Sequence, residues 1–173
     1  MSRWVMALAL VAALTPAVAW ARNAACDVGA AQLSGVRETW KGAPPVIHRG
    51  PVGAIRVETH ESFSGKPDGV VAPTLYRAWN ADQTHANLFE VCPELLSQLP
   101  DGWRYATPEE EAMKLGGPRT WVFSWAAPLV IGKQALAYRS AQCPGLCAQM
   151  IVILYRRGPK GWIEVGPAAM AMS

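Results

Sequence analysis

The strongest constraint on the fold is a run of five consecutive apolar residues, 150–154, in the last third of the chain. Turn residues bound the segment around it, with Pro144-Gly145 before the run and Gly158-Pro159 after it. A short apolar run between turn signals is typical of a strand that is covered on both faces. We therefore predict a central strand over residues 148–155.

Other segments alternate apolar and polar residues or carry helix-start signals. A helix is expected after Thr107, because Thr107 can cap it, Pro108 suits its first position and Glu110 completes a capping box. A short edge strand is predicted at 46–48. Further strands are predicted at 54–60, 121–125, 134–139 and 161–165, and further helices at 28–41, from Pro73 onward and at 93–99.

Strands follow one another through short turns near the C-terminus, and the helices precede them. This order predicts an α+β fold. We expect an antiparallel sheet of about four to five strands, mainly in the C-terminal third, with about two to four short helices packed on one face.

The first 21 residues have the pattern of a cleavable secretory signal. A short start containing Arg3 precedes an apolar stretch at 4–14, which Pro16 ends. Small residues then place cleavage after Ala19 or Ala21. The prediction is a signal peptide at 1–21 and a single domain at 22–173 that is periplasmic or secreted, with no membrane attachment after cleavage.

Four cysteines lie beyond the predicted signal, an even number that indicates disulfides in an exported protein. We favour the pairs Cys143–Cys147 and Cys26–Cys92 among three pairings. The alternative for Cys26 is lipid attachment, since Ala25 precedes it, although Asn23 stands where a lipobox usually has an aliphatic residue.

The C-terminal hairpin resembles a recurring pattern. Its parts are the segment 134–138, the C-x-x-x-C loop from Cys143 to Cys147, an apolar strand, and a G-W-x-x-V segment at 161–165. This pattern is similar to one in small, uncharacterised, exported bacterial proteins. The resemblance covers under a third of the chain, and it implies export and the hairpin but no activity.

The residues show no recognisable catalytic machinery. The chain has 16 Lys plus Arg against 13 Asp plus Glu, scattered rather than clustered, which does not indicate nucleic-acid binding. A nucleophile elbow, a redox C-x-x-C, a zinc-protease motif and a phosphate-binding glycine loop are all missing from the sequence. We therefore assign no catalytic residue, no metal site and no cofactor.

Aromatic residues provide the one suggestive pattern. Trp121, Phe123 and Trp125 alternate along a predicted strand, so their side chains share one face. An exposed row could stack on sugar rings or anchor a protein partner. Packing in the core is the interpretation we favour, because the sheet must bury a face.

These observations favour a non-enzymatic binding or interaction module, whose partner is an envelope protein, a secreted effector or a cell-wall glycan. A small envelope hydrolase with a dispersed site is one alternative, and a cleft joining His60 or His85 to a carboxylate and a hydroxyl would favour it. A membrane-anchored structural lipoprotein is the other. The sequence does not determine the oligomeric state.

Mass spectrometry of the exported protein tests the signal prediction. We expect the N-terminus to be Trp20 or Arg22, because cleavage follows one of the two small-residue sites. A chain that begins at Cys26 and carries acyl groups would contradict cleavage at Ala19 or Ala21 and support the lipoprotein alternative.

Overall fold

The computed structural model of the chain describes residues 3–58, 69–109, 120–143 and 147–172, with side chains from residue 21 onward. The helices are α1 (Arg3–Thr39), α2 (Pro73–Ala81), α3 (Leu88–Val91) and a 3₁₀ helix (Pro93–Gln98). The strands are β1 (Val46–Ile47), β2 (Val52–Gly53), β3 (Thr84–His85), β4 (Arg104–Tyr105), β5 (Val122–Trp125), β6 (Leu129–Ile131), β7 (Gln134–Gln142), β8 (Ala148–Gly158) and β9 (Gly161–Met172).

The main sheet has seven strands in the order β4-β1-β5-β7-β8-β9, and β6 also pairs with β7. Most pairings are antiparallel, but β1 runs parallel to both β4 and β5. The α+β class is therefore confirmed, and the sheet is larger and more mixed than predicted. The short strand predicted at 46–48 is present as β1, but it lies between β4 and β5 rather than at an edge. Strand β4 was not predicted, because two residues are too few for the alternation of side chains to be recognised.

Adjacent residues of β7 point to opposite sides of the sheet, and both sides are covered. Leu136 packs in a cluster with Leu75 and Trp79 of α2. Its neighbour Ala135 packs in another cluster with Val28 of α1. The sequence predicted helices on one face of the sheet. The structure instead has helices on both faces. The expectation for β8 is confirmed, since residues 151–155 are all buried.

Helix α1 extends far beyond the predicted segment 28–41 and passes through Pro16 without interruption. Gly29 lies where α1 meets α3 and the 3₁₀ helix. A Cβ at this position would stand 2.5 Å from Cδ1 of Leu88. The flexibility of glycine weakens a helix, but the missing side chain of Gly29 lets α1 approach α3 closely. Among the described residues, no helix is both long and apolar enough to cross a membrane.

Both predicted disulfides are present. The Cα atoms of Cys26 and Cys92 lie 5.6 Å apart, and the bond joins buried parts of α1 and the end of α3. The Cα atoms of Cys143 and Cys147 lie 5.4 Å apart, and this bond closes the tip of the β7–β8 hairpin. The first constrains distant elements and the second constrains one turn.

The predicted strand at 54–60 is wrong over its described part, 54–58, which has no strand. The side chain of Asn80 replaces a strand partner there. Its Oδ1 accepts a hydrogen bond from the Val57 N–H at 3.0 Å, and its Nδ2 donates to the Val57 carbonyl at 2.8 Å. Residues 59–60, and most of the helix predicted after Thr107, lie outside the described residues.

The two disulfides should differ in their contribution to stability. The Cys26–Cys92 bond spans 66 residues and the Cys143–Cys147 bond spans four. The loss of unfolded-state entropy predicts a fall in unfolding free energy of about 4 kcal/mol for the Cys26→Ala/Cys92→Ala variant, against about 2 kcal/mol for Cys143→Ala/Cys147→Ala. Urea unfolding of both variants measures the difference, and an equal or reversed order would contradict it.

Candidate functional site

A row of side chains crosses four strands of the main sheet on the face that α2 covers. Ser124 of β5 pairs with Ser140 of β7, and Ser140 pairs with Met150 of β8. The parallel register of β1 and β5 places His48 beside Ser124, and the His48 N–H donates to the Phe123 carbonyl at 2.7 Å. His48, Ser124, Ser140 and Met150 therefore form one continuous row.

This row forms the floor of a cleft of about 360 Å³. Tyr138 and Gln142, the neighbours of Ser140 on the same face of β7, line it as well. The segment after β1 forms one wall, and Ala148 lies beside the disulfide-closed hairpin tip. The complete lining is His48, Pro51, Val52, Gly53, Ser124, Tyr138, Ser140, Gln142, Ala148 and Met150.

The cleft opens where the apolar face of β7 ends. Along that face Leu136 and Tyr138 are buried beneath the α2 cluster, Ser140 is half-buried and Gln142 is exposed. The side chains thus change from apolar to polar along a single strand as the cover of α2 ends. This change leaves hydroxyl and amide groups facing an open cavity rather than a packed core.

Within the described ranges, no Asp, Glu, Lys or Arg side chain lines the cleft. Burial raises the pKa of Tyr138 above its ordinary value, and a hydrogen bond with the Ser140 side chain opposes this effect. The phenol is therefore protonated at neutral pH and can act as a donor. The cleft is rich in neutral hydrogen-bonding groups, and Met150 and Val52 add apolar surface.

The wall that carries His48 is held by polar contacts from the α3 region. The fully buried Asn87 donates from Nδ2 to the His48 carbonyl at 2.7 Å, and its Oδ1 accepts from the Phe89 N–H at 2.9 Å. The Glu90 carboxylate accepts a hydrogen bond from the Gly50 N–H. Arg49 donates to the Ala106 carbonyl, which fixes the same segment from the other side.

The predicted aromatic row lies on the opposite face of β5 from Ser124. Phe123 and Trp125 are buried, and Trp121 is partly buried. The Phe123 and Trp121 rings each meet Trp40 edge-on, with centroids 4.8 and 4.9 Å apart. These rings pack beneath α1 in the core and do not form an exposed platform.

Of the two histidines that the hydrolase alternative named, the structure describes His85. His85 stacks on Trp79 with ring centroids 4.2 Å apart, and burial lowers its pKa against the opposing effect of Asp82. His60 lies outside the described residues. Asp82 accepts a hydrogen bond from the Thr84 N–H, so its carboxylate supports a turn.

A possible metal cluster also has a structural explanation. Among the described residues, Cys26, Cys92 and Glu94 come close enough to share an ion. Both sulfurs belong to a disulfide, however, and a metal requires thiolates. This group therefore offers only one carboxylate ligand.

Sequence reasoning missed the cleft residues. One signal was available: in the segment 134–142, alternate positions change from Leu136 and Tyr138 to Ser140 and Gln142 just before Cys143. A buried face that becomes polar toward a turn indicates an open end of a sheet. His48 ends the segment predicted as a short edge strand and lies directly after β1, but its place beside Ser124 depends on the pairing of β1 with β5, which the sequence did not indicate.

Comparison of the chain with models of protein families, with curated proteins and with solved structures gave no match. The similarity of the C-terminal hairpin to exported bacterial proteins stays a prediction.

Asn87 provides the test of how the cleft wall is held. Replacing it with alanine removes the cap of α3 and leaves the His48 carbonyl without its buried donor, so we expect a loss of about 2–3 kcal/mol in unfolding free energy. Urea unfolding measures it. The exposed Asn23→Ala exchange should change the same quantity by less than about 0.5 kcal/mol. Equal effects of the two exchanges would refute this role of Asn87.

Proposed function

We propose that the chain is an exported, non-enzymatic binding protein that holds a neutral sugar unit of a cell-wall glycan in the cleft. The observation that carries this proposal is the lining, which combines hydroxyl, imidazole and amide groups with apolar surface and includes no formally charged side chain among the residues that the structure describes. Sugars present many hydroxyls and small apolar faces, and they need no charged partner.

The distribution of donors and acceptors supports a sugar over an extended protein surface. Ser124 and Ser140 can each donate one hydrogen bond and accept others, and Gln142 can do both through separate atoms. The cleft volume of about 360 Å³ lies near the lower end of the range for small-molecule pockets. It suits one or two sugar rings better than a protein anchor that needs a broad contact.

Export is supported by three observations. The signal pattern ends at residue 21, directly before a change in α1 from the exposed Arg22 and Asn23 to buried residues at 24–26. Two disulfides are compatible with an oxidising compartment. The sulfur of Cys26 is bonded to Cys92 and so cannot also carry a lipid, which favours a cleaved form over the lipoprotein alternative.

The hydrolase alternative is favoured by one observation, the presence of His48 beside Ser124. A serine nucleophile needs a base, and that base is usually oriented by a third group. Glycoside hydrolysis needs two carboxylates. None of the described residues that line the cleft carries a carboxylate, so these residues support binding better than turnover.

Calorimetric titration of the protein beginning at Arg22 with soluble cell-wall glycan fragments and with N,N′-diacetylchitobiose, a neutral disaccharide, tests the proposal. We expect binding without hydrolysis. Gln142→Ala and Ser124→Ala should each weaken it by about threefold to tenfold, because each removes one hydrogen bond.

The matched control is Gln98→Ala, which changes an exposed glutamine on the 3₁₀ helix. Its affinity should stay within about twofold of the unchanged protein. If neither glycan binds, or if the Gln98 exchange weakens binding as much as the Gln142 exchange, the cleft is not the glycan site. Release of reducing sugar that depends on His48 would instead favour the hydrolase.

A further inference from the structure

A second, smaller cavity of about 150 Å³ lies on the opposite face of the sheet, below the C-terminal end of α1. Arg139 of β7 and Gln149 of β8 line its sheet side. Thr39 and Trp40 line its helix side, and Phe123 of β5 contributes an aromatic wall. Since Arg139 and Ser140 are adjacent in β7, this cavity and the glycan cleft are separated by the thickness of the sheet.

Arg139 has an unusual environment for a charged side chain. Its cross-strand neighbours are Trp125 and Ile151, both buried and apolar. Among the described residues of the lining, it is the only one that carries a formal charge. Its guanidinium makes no hydrogen bond or ion pair with any residue in the described ranges, and its charge acts on the Tyr155 phenol, as does the Glu164 carboxylate of β9. A partly buried cation is stabilised by pairing with an anion, so a carboxylate can bind favourably at Arg139.

The described lining of the cavity combines donors with aromatic surface. Arg139 carries a planar fork of N–H donors that suits a carboxylate, and the Gln149 amide can also donate. Trp40 and Phe123 supply aromatic surface and contact each other edge-on, with centroids 4.8 Å apart and planes at 79°. A cavity of about 150 Å³ is large enough for a single benzene ring.

We propose that this cavity binds a small monocarboxylate that carries one ring or a short apolar chain. The carboxylate pairs with Arg139, and the apolar part lies against the Trp40 and Phe123 side chains that line the cavity. This site is distinct from the glycan cleft, and the proposal does not depend on the function proposed there.

A structural role for Arg139 is the competing explanation, because a cation near the last turn of α1 complements the helix dipole. Arg37, which is exposed and lies in that last turn, already supplies such a charge. It therefore serves as the matched control: Arg37→Gln removes the same charge from the same helix end without changing the cavity.

Titration of the protein beginning at Arg22 with sodium benzoate, at constant ionic strength and followed by NMR, tests the site. We expect chemical-shift changes at the Gln149 side-chain amide and the Trp40 indole. Arg139→Gln should weaken benzoate binding at least tenfold, since a charge-assisted pair is lost. Arg37→Gln should leave the affinity within twofold, and neutral benzamide should bind at least tenfold more weakly than benzoate.

Equal binding of benzoate and benzamide would overturn the proposal, and so would shifts that map away from Gln149 and Trp40. Equal weakening by the two arginine exchanges would do the same. If Arg139→Gln fails to fold, the comparison of benzoate with benzamide on the unchanged protein decides. Thermal unfolding gives an independent readout: benzoate should raise the midpoint of the unchanged protein, whereas benzamide at the same concentration should not.

Discussion

The pairing of β7 with β8 is the interaction on which the remaining structure depends. Nine residue pairs join the strands, from Gln134 opposite Arg156 to Gln142 opposite Ala148. The two ends of β7 make different contacts. The Gln134 side chain accepts from the Ala72 N–H at 2.7 Å and donates to the Val70 carbonyl at 2.8 Å, which attaches the entry of α2. At the other end, Gln142 reaches the cleft.

This ladder also explains why both cavities occur at the same end of the sheet. α2 covers Leu136 and Tyr138 on one face, and α1 covers Ala135 and Ala137 on the other. Neither cover continues unbroken to the hairpin tip, so the residues from Arg139 to Gln142 face open volume on alternate sides. The Cys143–Cys147 bond keeps the hairpin closed directly beyond these residues. The bond therefore joins the adjacent ends of β7 and β8 beside the two cavities.

The parts that could be predicted from the sequence rest on local signals. The apolar run at 150–154 predicted a strand covered on both faces, and the even cysteine count predicted two disulfides. The parts that could not be predicted depend on distant contacts. Strand β1 exists because β4 and β5 lie on either side of it, and it alone brings His48 to Ser124. Residues 54–58 alternate like a strand, yet the Asn80 side chain takes the place of a neighbouring strand.

The chemistry of the two cavities follows from which face of β7 each residue occupies. Ser140 and Gln142 point to the neutral face, whereas Arg139 points to the aromatic face beneath α1. A shift of one residue in the pairing of β7 would exchange these faces and bury the polar groups under α1. The cost of burying the polar side chains of Ser140 and Gln142 beneath α1 opposes that shift. The register that stabilises the core is thus the same constraint that keeps a neutral site and a cationic site apart on opposite faces of one strand.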